Sequence, residues 1–212
     1  MSGPSLNDSA LFETIPAADL TALAARVGTR KFPKQSVIVH EGDRADALYV
    51  ILAGSVEFIL QGEDGRRFVL GTAGAGEYFG EMMLDGGPRS ASVVAVEACQ
   101  CAVIPGAEMQ LFVERHPAVA LTIMRNLSRR VRTLTERVKS LALMDVYGRV
   151  AALLLEVRQA DGGVVLSQQD IANRVGASRQ MVSRIINDLL DGGYIARAGR
   201  RYVILGPLPR AW

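Results

Sequence analysis

Ser167-Gln168-Gln169-Asp170-Ile171-Ala172-Asn173-Arg174-Val175-Gly176-Ala177-Ser178-Arg179-Gln180-Met181-Val182-Ser183-Arg184-Ile185-Ile186 contains two helix starts and one stop. In Ser167-x-x-Asp170 the hydroxyl can accept the amide three residues on, while the acid faces the positive end of the helix dipole. The first helix, over 169–175, stops at Gly176, and Ser178 caps a second that runs to 190. Ile171, Ala172, Val175, Val182, Ile185 and Ile186 fall on the facing sides, and Ala172 is small enough to let the helices approach. Two helices joined by Val-Gly-Ala-Ser predict a helix-turn-helix. Downstream, 192–195 and 198–204 read as strand, turn, strand, which makes the unit a winged helix.

The second helix carries Arg179, Gln180, Ser183 and Arg184 opposite the packing residues and near its N-terminus. Arg can bond guanine through two N–H groups, Gln can bond adenine, and Ser suits a phosphate or a base edge. A solvated polar face is the alternative, since most helices carry one. Charge favours DNA. The chain has 24 Lys and Arg against 22 Asp and Glu, a net +2, but residues 149–210 hold 9 basic and 5 acidic side chains. Residues 1–148 hold 15 and 17. A basic C-terminal segment behind a mildly acidic larger one is the pattern of polyanion binding. The candidate DNA-binding residues are Ser167, Gln169, Ser178, Arg179, Gln180, Ser183, Arg184 and, on the wing, Arg200.

Toward the N-terminus, Asp145 can cap a helix with Val146, Val150, Leu153, Leu154 and Val157 on its apolar face, ended by Asp161-Gly162-Gly163. Before it, Pro117 opens a long helix on which Met124, Leu127, Val131, Leu134, Val138 and Leu141 recur at heptad spacing. Arg125, Arg129, Arg130, Arg132, Arg137 and Lys139 flank that seam. Such a seam pairs with its own copy in a parallel homodimer or docks on the preceding domain; the polar flanks favour the dimer.

From 29 to 105 the periodicity is that of strands, at 36–39, 47–52, 55–60, 68–70, 91–96 and 99–104, separated by Gly-rich turns. Short strands at this spacing predict an antiparallel sandwich or barrel. Residues 8–27, with Pro16 and the run Leu20, Leu23, Ala24 and Val27, read as helical. Within the barrel, Phe79-Gly80-Glu81 leads to Pro88-Arg89-Ser90. Gly80 permits close approach of the backbone, and a helix opening at Glu81 would aim amides at an anion. Arg89 offers a forked cation, Ser90 a hydroxyl and Glu81 an acceptor, which together describe a ribose-phosphate site. The same residues equally describe an Arg89–Glu81 ion pair closing a loop.

The rare residues narrow the chemistry. Cys99 and Cys101 cannot staple a secreted fold or supply four zinc ligands, and as i, i+2 strand residues they read as core. Of the two His, only His40 lies in the barrel, so no set of His and carboxylate ligands converges there. No Ser/His/Asp set or phosphate-binding GxxxxGK[ST] loop appears. Neither a catalytic residue, a metal site nor a cofactor is therefore expected. No apolar run approaches the ~18 residues of a membrane span, and no secretory signal precedes residue 30, so a cytoplasmic protein without a membrane partner is expected.

With Gly42, Gly54, the segments around Gly80 and Arg89, the helix-turn-helix and the run Leu141-Ala142-Leu143-Met144-Asp145-Val146-Tyr147-Gly148-Arg149-Val150, the chain resembles the cyclic AMP receptor protein and fumarate–nitrate regulator (CRP/FNR) superfamily from about residue 11 to 205. The resemblance implies an α+β chain of three parts. These are a cyclic-nucleotide-binding β-roll (a double-stranded β-helix or jelly roll) over 1–115, a dimerisation helix over 116–143 and a winged helix-turn-helix over 144–212. It implies a homodimer on a palindromic double-stranded DNA operator, with RNA polymerase as a further partner and ligand in the roll reorienting the DNA-binding domains.

Carried over to this chain, Glu81 would hold a ribose hydroxyl, and Arg89 and Ser90 the cyclic phosphate, with help from the Gly80–Met82 backbone. Arg130 would approach from the central helix. Leu134 stands where cyclic AMP receptors place a Thr against the adenine amino group, and Thr135 matches the neighbouring Ser that arrives from the partner subunit. The Glu81-to-Arg89 stretch is also one or two residues short. The implied effector is cyclic AMP (cAMP); cyclic GMP, a cyclic dinucleotide and a ligand-independent regulator stay open. In the recognition helix Gln180 replaces a cytosine-accepting Glu, which predicts an altered operator base. The oxygen sensor's N-terminal cysteine cluster has no counterpart before Cys99.

Overall fold

The computed structural model describes residues 5–209. They form two compact units, one of residues up to Leu60 with Val69–Val131, the other of Gln61–Phe68 with the residues from Arg132 onward.

The first unit is built on two four-stranded antiparallel sheets. One has the order β1 (Gly28–Phe32), β8 (Cys99–Pro105), β3 (Ala47–Ala53), β6 (Tyr78–Phe79). The other runs β2 (Val37–Val39), β7 (Ser92–Ala95), β4 (Ser55–Gln61), β5 (Arg67–Gly74). β3 explains the architecture. Its apolar run is buried on both faces, as a central strand between two layers requires. Ala47, Tyr49 and Ile51 meet Val39, Val56, Val93 and Ala95 of the opposite sheet. Leu48 and Val50 face the helices. Those helices are α1 (Ala17–Ala24), α2 (Gly106–Arg115) and α3 (Pro117–Leu143), which contribute Leu20, Leu23, Met109, Phe112, Val119 and Ile123 to one core. Cys99 and Cys101 are free, buried thiols between the sheets, and desolvation pushes Cys101 up to about 12.

One expectation for this unit needs correction, and three elements escape the sequence reading. Helix does not cover 8–27: only α1 is α-helical, with Pro16 at its N-cap and two 3-10 turns before it, Leu6–Asp8 and Ala10–Phe12. The chain is broken there by tertiary ties. Ser9 donates to the Gly76 carbonyl at 2.7 Å and accepts from Leu11, while Leu11 and Phe12 are buried. Strand β1 carries no apolar alternation, because it is an edge strand paired only to β8 and exposed over its first four residues. β6 is too short to register in any sequence window, and α2 also lies outside the expected elements.

In the second unit, α4 (Val146–Val157), α5 (Gln168–Val175) and α6 (Arg179–Asp191) pack with a sheet of order β10 (Ile195–Ala198), β11 (Arg201–Ile204), β9 (Gly163–Val164). Asp145 caps α4 by accepting from Gly148 N–H at 2.7 Å, a contact worth about 1 kcal/mol. α4 ends at Val157, earlier than Asp161. The core is the expected set of Val150, Leu154, Ile171, Ala172, Val175, Val182, Ile185 and Ile186, extended by Val164, Leu189, Ile195 and Tyr202. The fold is α+β: an antiparallel roll, a long helix and a winged helix-turn-helix.

Candidate functional site

In the roll, β6 runs into Gly80, a 3-10 turn over Glu81–Leu84, and then the Asp85-Gly86-Gly87-Pro88 turn to Arg89. Gly80 has φ +95, and a Cβ there would lie 2.7 Å from Arg89 Nη1 and 2.8 Å from the Ala47 carbonyl. Only glycine fits, for backbone and packing reasons at once. The bend turns the strand into the wall of a pocket open to solvent. Phe58, Phe79 and Val93 line its apolar side, and Gly80, Glu81, Met82, Arg89, Ser90 and Arg130 its polar side. Six of the eight expected ligand residues thus meet at one cavity. Leu134 and Thr135 lie further along α3, exposed, in the second unit.

Arg89 is only 5% exposed. Its Nη1 donates to the Gly80 carbonyl at 3.0 Å and its Nη2 to the Ala47 carbonyl at 2.8 Å, and Asp46 lies 3.6 Å away. The guanidinium also sits 5.7 Å from the centre of the Tyr49 ring, which stacks on Phe79. Burial raises the Tyr49 pKa, while Arg89 opposes the shift. Two carbonyls therefore fix the fork.

The alternative of an Arg89–Glu81 loop bridge does not hold. Glu81 pairs instead with Arg130, whose Nη1 donates to Glu81 Oε1 and whose Nη2 donates to the Tyr78 carbonyl at 2.9 Å. Helix α3 supplies Arg130 from 49 residues away, so no local pattern could assign that partner. Glu81 is 7% exposed, and its Oε2 is buried with no hydrogen-bond partner. An orphaned carboxylate oxygen in a pocket wall is costly unless a donor reaches it. Residues to which the sequence argument gives no role at the site are Tyr78, Asn126 and Ala47. Two of them act through backbone carbonyls, for which side-chain identity gives no signal.

In the second unit, Ser167 and Asp170 form the expected reciprocal capping box, and Gly176 closes α5 at φ +67. Ser178 accepts from Met181 N–H at 3.2 Å, opening α6. Arg179, Gln180 and Arg184 are exposed on α6 and Ser183 is half-buried, with Val182, Ile185 and Ile186 inward. Gln169 is exposed and donates to Asn173 at 2.9 Å. Arg200 is exposed at the β10–β11 turn. Two exposed residues escaped the sequence argument, Met181 on the recognition face and Arg197 on β10. Position signalled both: Met181 follows Gln180 directly, and Arg197 precedes the wing turn. Arg201 is held by Asp161 at 2.6 Å.

Among the described residues no cluster of three or more His, Cys, Asp or Glu could hold a metal ion, and no helix is long and apolar enough to cross a membrane.

A pocketed roll and a winged helix with a basic recognition helix define a two-module DNA-binding regulator. The Cyclic nucleotide-binding domain family matches residues 29–116, and the Crp-like helix-turn-helix domain family matches 148–207. The chain is 32% identical over 186 residues to the cAMP-activated global transcriptional regulator CRP of Salmonella typhimurium, covering 83% of this chain and 89% of that one. It is 32% identical over 210 residues to the cAMP-activated global transcriptional regulator Vfr of Pseudomonas aeruginosa, covering 93% and 98%. Among solved structures, the c-di-GMP responsive global regulator CLP of Xanthomonas campestris superposes with a TM-score of 0.81 at 28% identity, covering 91% of this chain and all of that one. The chain belongs to the CRP/FNR superfamily of transcription regulators.

Proposed function

We propose that this chain is a homodimeric, cAMP-responsive activator or repressor that reads a palindromic operator. The observation that carries the ligand reading is the pair of buried groups in the roll. One is an arginine fork preset by two carbonyls, and the other is a glutamate whose Oε2 has no partner. Arg89, Ser90 and the Gly80–Met82 backbone would take the cyclic phosphate. Glu81 would accept the ribose hydroxyl, with Arg130 steadying it from α3. Leu134 and Thr135 are assigned to the base, Thr135 across the dimer.

A second reading, a cyclic dinucleotide effector, is favoured by the likeness to the c-di-GMP responsive regulator and by the apolar Leu134 at the base position. Calorimetry with cAMP, cyclic GMP and cyclic di-GMP separates these readings. Heat from cAMP alone supports the first. Heat from none of them overturns both and leaves a ligand-independent regulator.

The dimer reading rests on the α3 seam. Met124, Val131 and Val138 are 54%, 61% and 64% exposed, while Val119, Ile123 and partly Leu127 are covered by the roll's own core. An apolar seam between arginine-rich flanks calls for a second copy. Val131→Glu should yield monomers in sedimentation; a surviving dimer overturns the seam.

For DNA, Arg179, Gln180, Met181 and Arg184 would face base edges, Met181 against a thymine methyl. Ser167, Gln169, Ser178, Ser183 and Arg200 would serve phosphates. The functional parts are 1–115, 116–143 and 144–212, acting in the cytoplasm on DNA and with RNA polymerase, and no catalytic step is assigned.

A further inference from the structure

Tyr78 takes part in neither proposed recognition event, yet it touches both the pocket wall and the long helix. It is followed directly by Phe79, Gly80, Glu81 and Met82, all of which line the cavity. Its carbonyl accepts from Arg130 Nη2 at 2.9 Å, and its ring centre lies 5.8 Å beneath the same guanidinium. Its buried hydroxyl accepts from Asn126 Nδ2 at 2.8 Å. Asn126 and Arg130 are spaced i, i+4, so they share one face of α3 on successive turns. One strand residue therefore grips the helix at two levels. Asn126 is itself fixed, since its Oδ1 accepts from Arg129.

We propose that Tyr78 is the positioning residue that couples the nucleotide pocket to α3, with its hydroxyl–Asn126 bond as the specific link. This rests on the reading of the pocket as a cyclic-nucleotide site. The reasoning is mechanical. A ligand that satisfies Glu81 Oε2 and the outer N–H groups of Arg89 pulls on Glu81 and on the Gly80 carbonyl. Both are joined to Tyr78 through two or three rigid peptide units. β6 is only two residues long and pairs solely with β3, so little else resists that pull. Movement of Tyr78 is passed to Asn126 and Arg130 together, shifting or turning α3 as a body. The bonds to the helix differ in kind. The Arg130 bond uses the backbone of Tyr78 and survives any substitution there, whereas the Asn126 bond uses the side chain and can be removed alone.

The test uses full-length protein, with nucleotide affinity by calorimetry and operator affinity by fluorescence anisotropy with and without cAMP. Tyr78→Phe keeps the ring and loses the hydroxyl. Its nucleotide Kd should stay within about threefold of wild type, while the ligand-induced gain in operator affinity should fall roughly three- to tenfold, the range set by one hydrogen bond. Asn126→Ala should lower the gain by the same factor. The double variant should be no worse than either single one, because both remove the same bond. An unchanged gain in Tyr78→Phe, or losses that multiply in the double variant, overturns the coupling while leaving the nucleotide site intact. Absence of nucleotide binding by the wild type overturns the site itself and the coupling with it. A melting scan of each variant guards against a folding defect, and Asn126→Ala probes the link from the helix side should Tyr78→Phe be unstable.

Discussion

The roll and the winged helix handle positive charge in opposite ways. In the roll one cation of the pocket wall, Arg89, is buried and held by two backbone carbonyls and an aromatic face. On the winged helix Arg179, Arg184 and Arg200 stand exposed. A buried cation has given up its water, so it must be held in place, and it serves a compact anion that fits one geometry. An exposed cation keeps its hydration, is screened by salt and suits a long polyanion met at many points. The same residue type thus stands fixed and dry in one unit and hydrated in the other, a contrast suited to stereochemical recognition on one side and charge-driven recognition on the other.

The largest effect expected from that contrast is at Arg89. Arg89→Ala should lower cyclic-nucleotide affinity roughly 100-fold or more, the weight of two charge-assisted bonds from a buried, preset fork. It also unpairs the Gly80 and Ala47 carbonyls, so the melting temperature should drop. Arg89→Lys restores the charge but not the fork, and calorimetry should still find most of the loss. Operator binding without nucleotide should stay as in wild type for both. If Lys restores full affinity, charge alone matters and the preset geometry does not.

Next in size is Arg184→Ala, expected to cost roughly 1–3 kcal/mol on the preferred operator if Arg184 bonds a guanine edge through two N–H groups. Binding measured against operators varied at each position should lose selectivity at one base. Arg200→Ala should act differently, weakening every sequence alike by a few-fold and lowering the slope of log K against log salt by about 1. A base-selective loss at Arg200, or a uniform loss at Arg184, would reverse their assignments.

The two units were also unequally legible. The winged helix is written locally. Ser167, Gly176 and Ser178 each act within three or four residues, and the apolar spacing of Ile171 to Ile186 belongs to the helices themselves. The roll is assembled from distant parts. Gly80, Glu81 and Arg89 are close enough in sequence to be recognised as a set, but the partner of Glu81 comes from α3 and those of Arg89 are main-chain oxygens. The helical reading of 8–27 failed for the same reason, because Leu11 and Phe12 are buried by the roll rather than by their own helix. Edge strand β1 is invisible because its exposed face offers polar side chains where a pattern needs apolar ones.

The smallest expected effect lies where the wing is tied down. Asp161 accepts from Gly163 N–H at 2.9 Å and from Arg201 at 2.6 Å, and these donors hold its carboxyl below the usual carboxylate range. A carboxyl with a lowered folded pKa stabilises the fold fully above its unfolded value, near 3.9, and loses that contribution as pH falls through the folded one. Wild type and Asp161→Asn should therefore differ in chemical denaturation at pH 7, and the gap should begin to close below about pH 4, as pH falls toward the lowered folded value. The gap should be small, since both side chains are about half exposed, at 41% and 51%. It should also shrink in high salt, as a surface pair does. The Glu81–Arg130 pair has its acid buried, at 6% exposure, so the stability gap opened by Glu81→Gln should persist in the same salt series. Equal salt sensitivity in the two variants would mean that water reaches Glu81, and would remove the distinction between a preset pocket and a screened surface.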